Sequence, residues 1–291
     1  MDHGGEWAHV RRPLEAVREE ELIATDEVHV WSADLDRIPE GLLREPLSAD
    51  EQERGRRFHF ERDRRRFVAT RGLLRRLLGR YLGLDPCRLR FGYGPRGKPF
   101  LAGEDELRFN VSHSGGLALL AFARGREVGV DVERERPVPE AEDIARRYFS
   151  PREEAELRRL REGEWTAAFF RCWTRKEAFI KATGDGLSRS LDAFDVTLAP
   201  GEPARLLRVE GEPEAARRFW IEDVSPAPGF AGALAVEGSQ ARVVRRSADE
   251  SMEVNDGSRR AGRQDDLQGR PEPRGAVLDL ARRPGEPARL A

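Results

Sequence analysis

The chain is almost without lysine. Of the 51 lysines and arginines in its 291 residues, the lysines are Lys98, Lys176 and Lys181 alone. An ammonium is a compact point charge and a guanidinium a wide planar fork, so a site that grips a phosphate oxygen in a tight space can need lysine. Chance among solvated surface charges is the plain alternative, which Lys176 fits poorly because it interrupts an apolar stripe. Two of the three fall in one helix-like stretch. Cysteine is equally scarce: Cys87 and Cys172 stand far apart with no metal spacing, which argues against a disulfide framework or zinc site and for a reducing compartment. No apolar run reaches membrane-spanning length and no apolar segment follows the N-terminus, so we expect a soluble, cytoplasmic protein with no membrane partner. Net charge is −2, too small for a field that gathers nucleic acid. There is no P-loop, no dinucleotide-binding glycine fingerprint, no GxSxG elbow and no HExxH. Phosphate chemistry, if present, must use another scaffold.

What is present reads as mixed α and β structure. Residues 1–25 are charged and aperiodic, an expected poorly ordered extension, and 247–291 lack aromatics and are expected to be disordered. Between them the same plan occurs twice. Val28–Trp31 alternates as a strand, Ser48 and Glu51 form a capping box, and Arg62–Leu82 is an amphipathic helix ended by Gly83. The turn-rich GYGPRGKP follows. Strands are then expected at Arg108–Ser112, Leu117–Arg124 and Glu127–Val132, as an antiparallel meander. In the second round, Ala141–Tyr148 is a short helix and Ser150 with Glu153 a second capping box. A long helix ends at Gly184, and strands lie near 194–199, 205–209, 219–224 and 232–236. The expected fold is α+β, with two pseudo-symmetric halves (26–136 and 137–246), each packing helices on a small antiparallel sheet.

The chemistry gathers in three stretches. In VGVDVE (128–133), Asp131 and Glu133 share one face of a strand while Val130 and Val132 face the other. Two carboxylates so close repel unless a cation joins them, and oxygen-only donors favour Mg²⁺; a strand end fading into solvent is the plain alternative. In RCWTRKEAFIKATGDGL (171–187), Lys176 interrupts an apolar stripe, and Glu177 and Lys181 stand one turn apart. A third carboxylate with an ammonium beside it completes a magnesium–pyrophosphate clamp. In FNVSHSG (109–115), His113 sits among short hydroxyl side chains and glycines, suited to contacting a ligand or else structural.

FNVSHSG, VGVDVE and WTRKEAFIKATGDGL, with RGKP (96–99) upstream, resemble in order and spacing the Sfp-type 4′-phosphopantetheinyl transferase superfamily, over about residues 28–245. The resemblance implies two similar α+β halves with coenzyme A between them. It implies transfer of the phosphopantetheine arm to a serine of an acyl, polyketide or peptidyl carrier protein, by a monomer. Asp131, Glu133 and Glu177 would bind Mg²⁺. Lys181 would meet the pyrophosphate, and Glu177 or a metal-bound water would take the serine proton. Asn110, Ser112, His113, Lys176, Arg96, Gly97, Lys98 and Pro99 would line the coenzyme A cleft, with His113 at the 3′-phosphate. Arg66 and Arg54 match basic positions of the early helix, whereas a lysine of that region falls at Glu51 here. The competing readings are a coenzyme A or nucleotide-binding module without catalysis and an arginine-rich nucleic-acid binder, which the balanced charge disfavours.

Overall fold

The computed structural model describes residues 23–38 and 43–248. The expectations for 1–25 and 247–291 lie outside these residues, apart from 23–25 and 247–248.

The first round begins with strand β1 (Glu27–Asp34), then helices α1 (Ala49–Arg56) and α2 (Glu61–Leu82). Gly83 closes α2 in the left-handed conformation, φ 62°, where a side chain would be strained. A hairpin of β2 (Phe91–Tyr93) and β3 (Pro99–Leu101) carries RGKP in its loop, and β4 (Leu107–Ser114), β5 (Leu117–Arg124) and β6 (Val128–Arg134) follow. The second round runs through α3 (Ala141–Tyr148), α4 (Pro151–Leu157), α5 (Glu162–Thr183), β7 (Phe194–Val196), β8 (Leu206–Val209), α6 (Ala215–Arg218), β9 (Phe219–Asp223) and β10 (Phe230–Glu237). Strand β11 (Arg242–Ser247) ends the described chain.

Two sheets carry the fold, ordered β11-β1-β5-β4 and β6-β10-β9. β4 and β5 pair antiparallel, but β6 does not continue the expected meander. It crosses to the second sheet and pairs with β10, Asp131 opposite Ala233. β11, which lacks a clean alternating pattern, returns to pair parallel with β1. β7 and β8 form a separate ribbon instead of joining the second sheet.

Four layers result. One face of the first sheet, with Trp31, Leu120 and Phe122, packs on α2 through Leu74, Leu77 and Leu78. One face of the second, with Ala231, Ala233 and Ala235, packs on α5 through Phe179 and Ala182. The remaining faces meet each other through Val28, Val30, Leu119, Val130, Val132 and Leu234. Sheets covered on both sides explain why LALLAFA (117–123) and FAGALAV (230–236) are continuous apolar runs rather than alternating ones.

The doubled plan is visible in the chemistry as well as the topology. β1-β5-β4 has the order of β6-β10-β9. The two long helices have equal length, and their starts and ends are displaced equally: 162 − 61 and 183 − 82 both give 101. Both expected capping boxes form, and each reaches the core. Glu51 binds the buried Arg75 at 2.6 Å, and Glu153 binds the buried Lys176 at 2.7 Å. Arg75 and Lys176 are also 101 residues apart, and each donates to two backbone carbonyls of the segment after its helix: Pro86 and Leu89, and Leu191 and Phe194.

Candidate active site

Period-two alternation decides which way β6 points its side chains. Val128, Val130 and Val132 enter the core between the sheets; Gly129, Asp131 and Glu133 turn toward α5. The strand and helix meet very closely. A Cβ on Gly129 would stand 2.1 Å from the Ala178 carbonyl oxygen and 2.3 Å from the Ala182 nitrogen, so only glycine fits. That approach brings Lys181 and Glu177 to the strand.

Asp131 and Glu133 are 4% and 3% exposed, which rules out a strand end fading into solvent. The Lys181 ammonium donates to Asp131 Oδ1 at 2.6 Å and to the Ser112 hydroxyl at 3.1 Å. Ser112 Oγ itself donates to Asp131 Oδ1 at 2.8 Å, and Ser114 Oγ donates to Glu133 Oε2 at 2.7 Å. The Arg136 guanidinium is 3.9 Å from the same Glu133 oxygen.

The charges are out of balance. Burial, then the Asp131 charge, pushes Glu133 up to about 8, and the same two causes push Glu177 up to about 7. Glu177 is therefore close enough to Asp131 to feel its charge. Burial works against the Lys181 ammonium, but the Asp131 and Glu177 carboxylates outweigh it and its pKa is raised. Asp131 Oδ2 is buried with no hydrogen-bond partner. An orphaned carboxylate oxygen within an oxygen-only donor set fits a hard divalent cation such as Mg²⁺. As the side chains stand, however, no three His, Cys, Asp or Glu groups among the described residues are drawn together closely enough to hold an ion. Lys181 occupies part of the space instead.

The other expected residues divide. Lys98 donates to Glu127 at 2.8 Å and to the Ala182 carbonyl at 3.0 Å, latching the RGKP loop to the end of α5. Arg96 folds over Gly186, its Cδ 3.1 Å from where a Cβ would be, and Gly97 (φ 82°) makes the turn before Pro99. Arg66 grips Asp36 with two bonds, at 3.0 and 2.7 Å. Its Nη2 lies 3.5 Å from the Cβ position of Gly116, so it stands over the turn that follows His113. Asn110 Oδ1 accepts the Val130 amide at 3.0 Å. Arg54 is exposed at the end of α1, 5.4 Å from the Phe67 ring centre.

Lys176 requires a correction. It was expected to line the cleft, but it is 0% exposed and held by Glu153 and two carbonyls, so it cannot reach a ligand without breaking the core. Ser114 and Gly129 were not singled out from the sequence. The signal was there, in the N-x-S-x-S spacing of β4 beside the G-x-D-x-E spacing of β6. Two surface cavities, about 320 and 670 Å³, are lined by other residues, such as Arg246 and Trp220. The buried acids, not these two cavities, mark the candidate site.

Comparison with known proteins points the same way. Residues 127–235 match the model of the 4′-phosphopantetheinyl transferase superfamily, and 41–124 that of the 4′-phosphopantetheinyl transferase N-terminal region. The chain is 42% identical over 222 residues to the 4′-phosphopantetheinyl transferase HetI of Nostoc sp. strain PCC 7120, covering 74% of this chain and 90% of that protein. It is 36% identical to the 4′-phosphopantetheinyl transferase Sfp of Bacillus subtilis strain 168, over 52% of this chain and 66% of Sfp. It is 32% identical to the human L-aminoadipate-semialdehyde dehydrogenase-phosphopantetheinyl transferase, over 53% of each. No helix among the described residues is long and apolar enough to cross a membrane.

Proposed function

The chain belongs to the 4′-phosphopantetheinyl transferase superfamily, and we propose that it moves the phosphopantetheine arm of coenzyme A onto a serine of an acyl, polyketide or peptidyl carrier protein. The observation that carries this reading is the Lys181 ammonium of α5 bound to the buried Asp131 of β6, with Glu177 one turn earlier on the same helix, inside the segment matched by the superfamily model. Magnesium, a cytoplasmic setting and action as a single chain belong to the same proposal.

In the reaction, the serine oxygen attacks the phosphorus that carries the pantetheine arm. The bond to the other phosphate breaks and adenosine 3′,5′-bisphosphate leaves. Asp131, Glu133 and Glu177 would hold Mg²⁺, which supplies charge neutralisation at the pyrophosphate oxygens. Glu177, or a water beside it, would accept the serine proton. Lys181 turns from Asp131 toward the leaving phosphate, an exchange of one anionic partner for another. Arg66, which stands over the turn after His113, and His113 would meet the 3′-phosphate, and the RGKP loop, latched by Lys98, would wall the cleft.

The test is incubation of purified apo-carriers with coenzyme A and Mg²⁺, read by the mass gained. We expect loading by the natural chain and none by Glu177→Ala. Full loading by that variant removes Glu177 from the mechanism. Coenzyme A binding by calorimetry without loading of any carrier would favour the non-catalytic alternative.

A further inference from the structure

β4 and β6 belong to different sheets, yet they lie side by side and run in the same direction. The β6 amides that face β4 do not bond to its backbone. Val130, Val132 and Arg134 donate instead to side-chain oxygens of Asn110, Ser112 and Ser114, at 3.0, 3.3 and 3.1 Å. Each serine hydroxyl has one proton and two lone pairs, and each uses them alike. Ser112 accepts the Val132 amide and donates to Asp131; Ser114 accepts the Arg134 amide and donates to Glu133. The two rungs share this pattern, and Ser112 accepts from the Lys181 ammonium as well. At the third, Asn110 faces Gly129, the position α5 keeps without a side chain.

We propose that Ser112 and Ser114 are positioning residues that fix the two strand carboxylates in register for the divalent ion, with Ser114 the dedicated hook for Glu133. A serine proton on one oxygen of each carboxylate sets its rotamer. At Asp131 this leaves Oδ2 buried and open. The same hydroxyl tethers the amide next to that acid, so side chain and backbone are located by one atom. Without Ser114, Glu133 loses a hydrogen-bond donor at 2.7 Å, and the part-buried Arg134 amide loses its acceptor. The inference rests on the proposed magnesium role of these acids.

Ser114 is the position to test, because Ser112 also meets Lys181. Ser114→Ala, Ser114→Cys and Ser114→Thr would be compared with the natural chain for Mn²⁺ binding by electron paramagnetic resonance, with coenzyme A present. The Mg²⁺ concentration for half-maximal loading and the KM for coenzyme A would be measured alongside, and folding checked by circular dichroism. We expect Ser114→Ala and Ser114→Cys to weaken Mn²⁺ binding and raise the Mg²⁺ requirement by roughly 10-fold or more, as loss of a partner behind a metal ligand does. The KM for coenzyme A should change little, and Ser114→Thr, which keeps the hydroxyl, should restore the ion affinity. If Ser114→Ala does not fold, the contrast between Cys and Thr decides. Unchanged ion affinity in a folded variant lacking the hydroxyl overturns the inference while leaving the proposed function intact. A natural chain that loads carriers but binds no Mn²⁺ removes the magnesium reading, and this inference with it.

Discussion

The two halves share a scaffold and differ in what they place at the same point of it. In the second half, Lys181, in the last turn of α5, reaches Asp131 on the first strand of its sheet. In the first half the residue 101 earlier, Arg80, lies 5.9 Å from the ring of Trp31 on β1. Beside Asp131 stands Ser112 of β4; beside Trp31 stands Arg246 of β11, 5.6 Å from the same ring. One half buries acids around an ammonium, and the other buries an aromatic ring between guanidinium groups. Trp31 then donates to the Tyr81 hydroxyl at 2.7 Å, which also meets His29 at 2.8 Å. The matching buried ion pairs, Glu51–Arg75 and Glu153–Lys176, are kept in both halves, whereas the acid–ammonium cluster stands in one. The proposed chemistry draws on residues that differ between the halves.

The sharpest way to break this comparison is to change matching positions. Glu177→Gln should lower carrier loading by ~10²–10³-fold, the scale of losing one preorganised charge-stabilising group. Arg76→Ala, at the matching position of α2, should leave the rate within a few-fold. Equal losses would mean that both halves carry the chemistry.

Next in size are the buried ion pairs. Lys176→Met strands the buried Glu153 carboxylate, which costs about 3–5 kcal/mol, whereas Arg75→Met leaves Glu51 a second guanidinium, Arg71, and should cost less. Urea unfolding should find the larger loss in Lys176→Met. A loss in one alone would show that the repeated pair is a likeness of sequence and not of energetics.

Acid should distinguish the halves as well. Burial, then Arg246, lowers the pKa of His29 to about 4 from an ordinary 6.5, so the folded chain keeps it neutral. Its contribution is intact above pH 6.5 and declines as the pH falls toward 4, because the unfolded chain binds the proton first. The decline approaches about 3 kcal/mol. His29→Gln should flatten stability over that window, measured by thermal unfolding at stepped pH.

The smallest effect is expected at the surface. Arg217 and Glu214, 3.3 Å apart and both exposed, should contribute less than about 0.5 kcal/mol, so Arg217→Ala should leave the unfolding midpoint nearly unchanged.

Much of the frame was legible because it depends on local rules. The Ser48 and Ser150 capping boxes, the glycine stops of α2 and α5 and the apolar stripe of α2 all follow from spacing within one element, and the structure shows them. Where β6 and β11 pair was not legible, because pairing across a sheet is set by partners far away in the chain. β6 looked like the third strand of a meander, since a glycine-bearing turn joins it to β5. Its two-sided burial is met by β10 and α5 instead.

The sequence by itself determined which groups were available: three lysines among 51 cations, two acids on one strand face, and a third acid one turn from a lysine. Period 2 and period 3.6 fix such facts without any partner. Only the tertiary structure decided which of those groups share a space. Lys176 and Lys181 differ by a little over one turn, yet one is consumed by Glu153 in the core and the other is aimed at Asp131. Five residues along a helix turn a side chain by well over a right angle, and what each direction meets is settled by packing between distant strands.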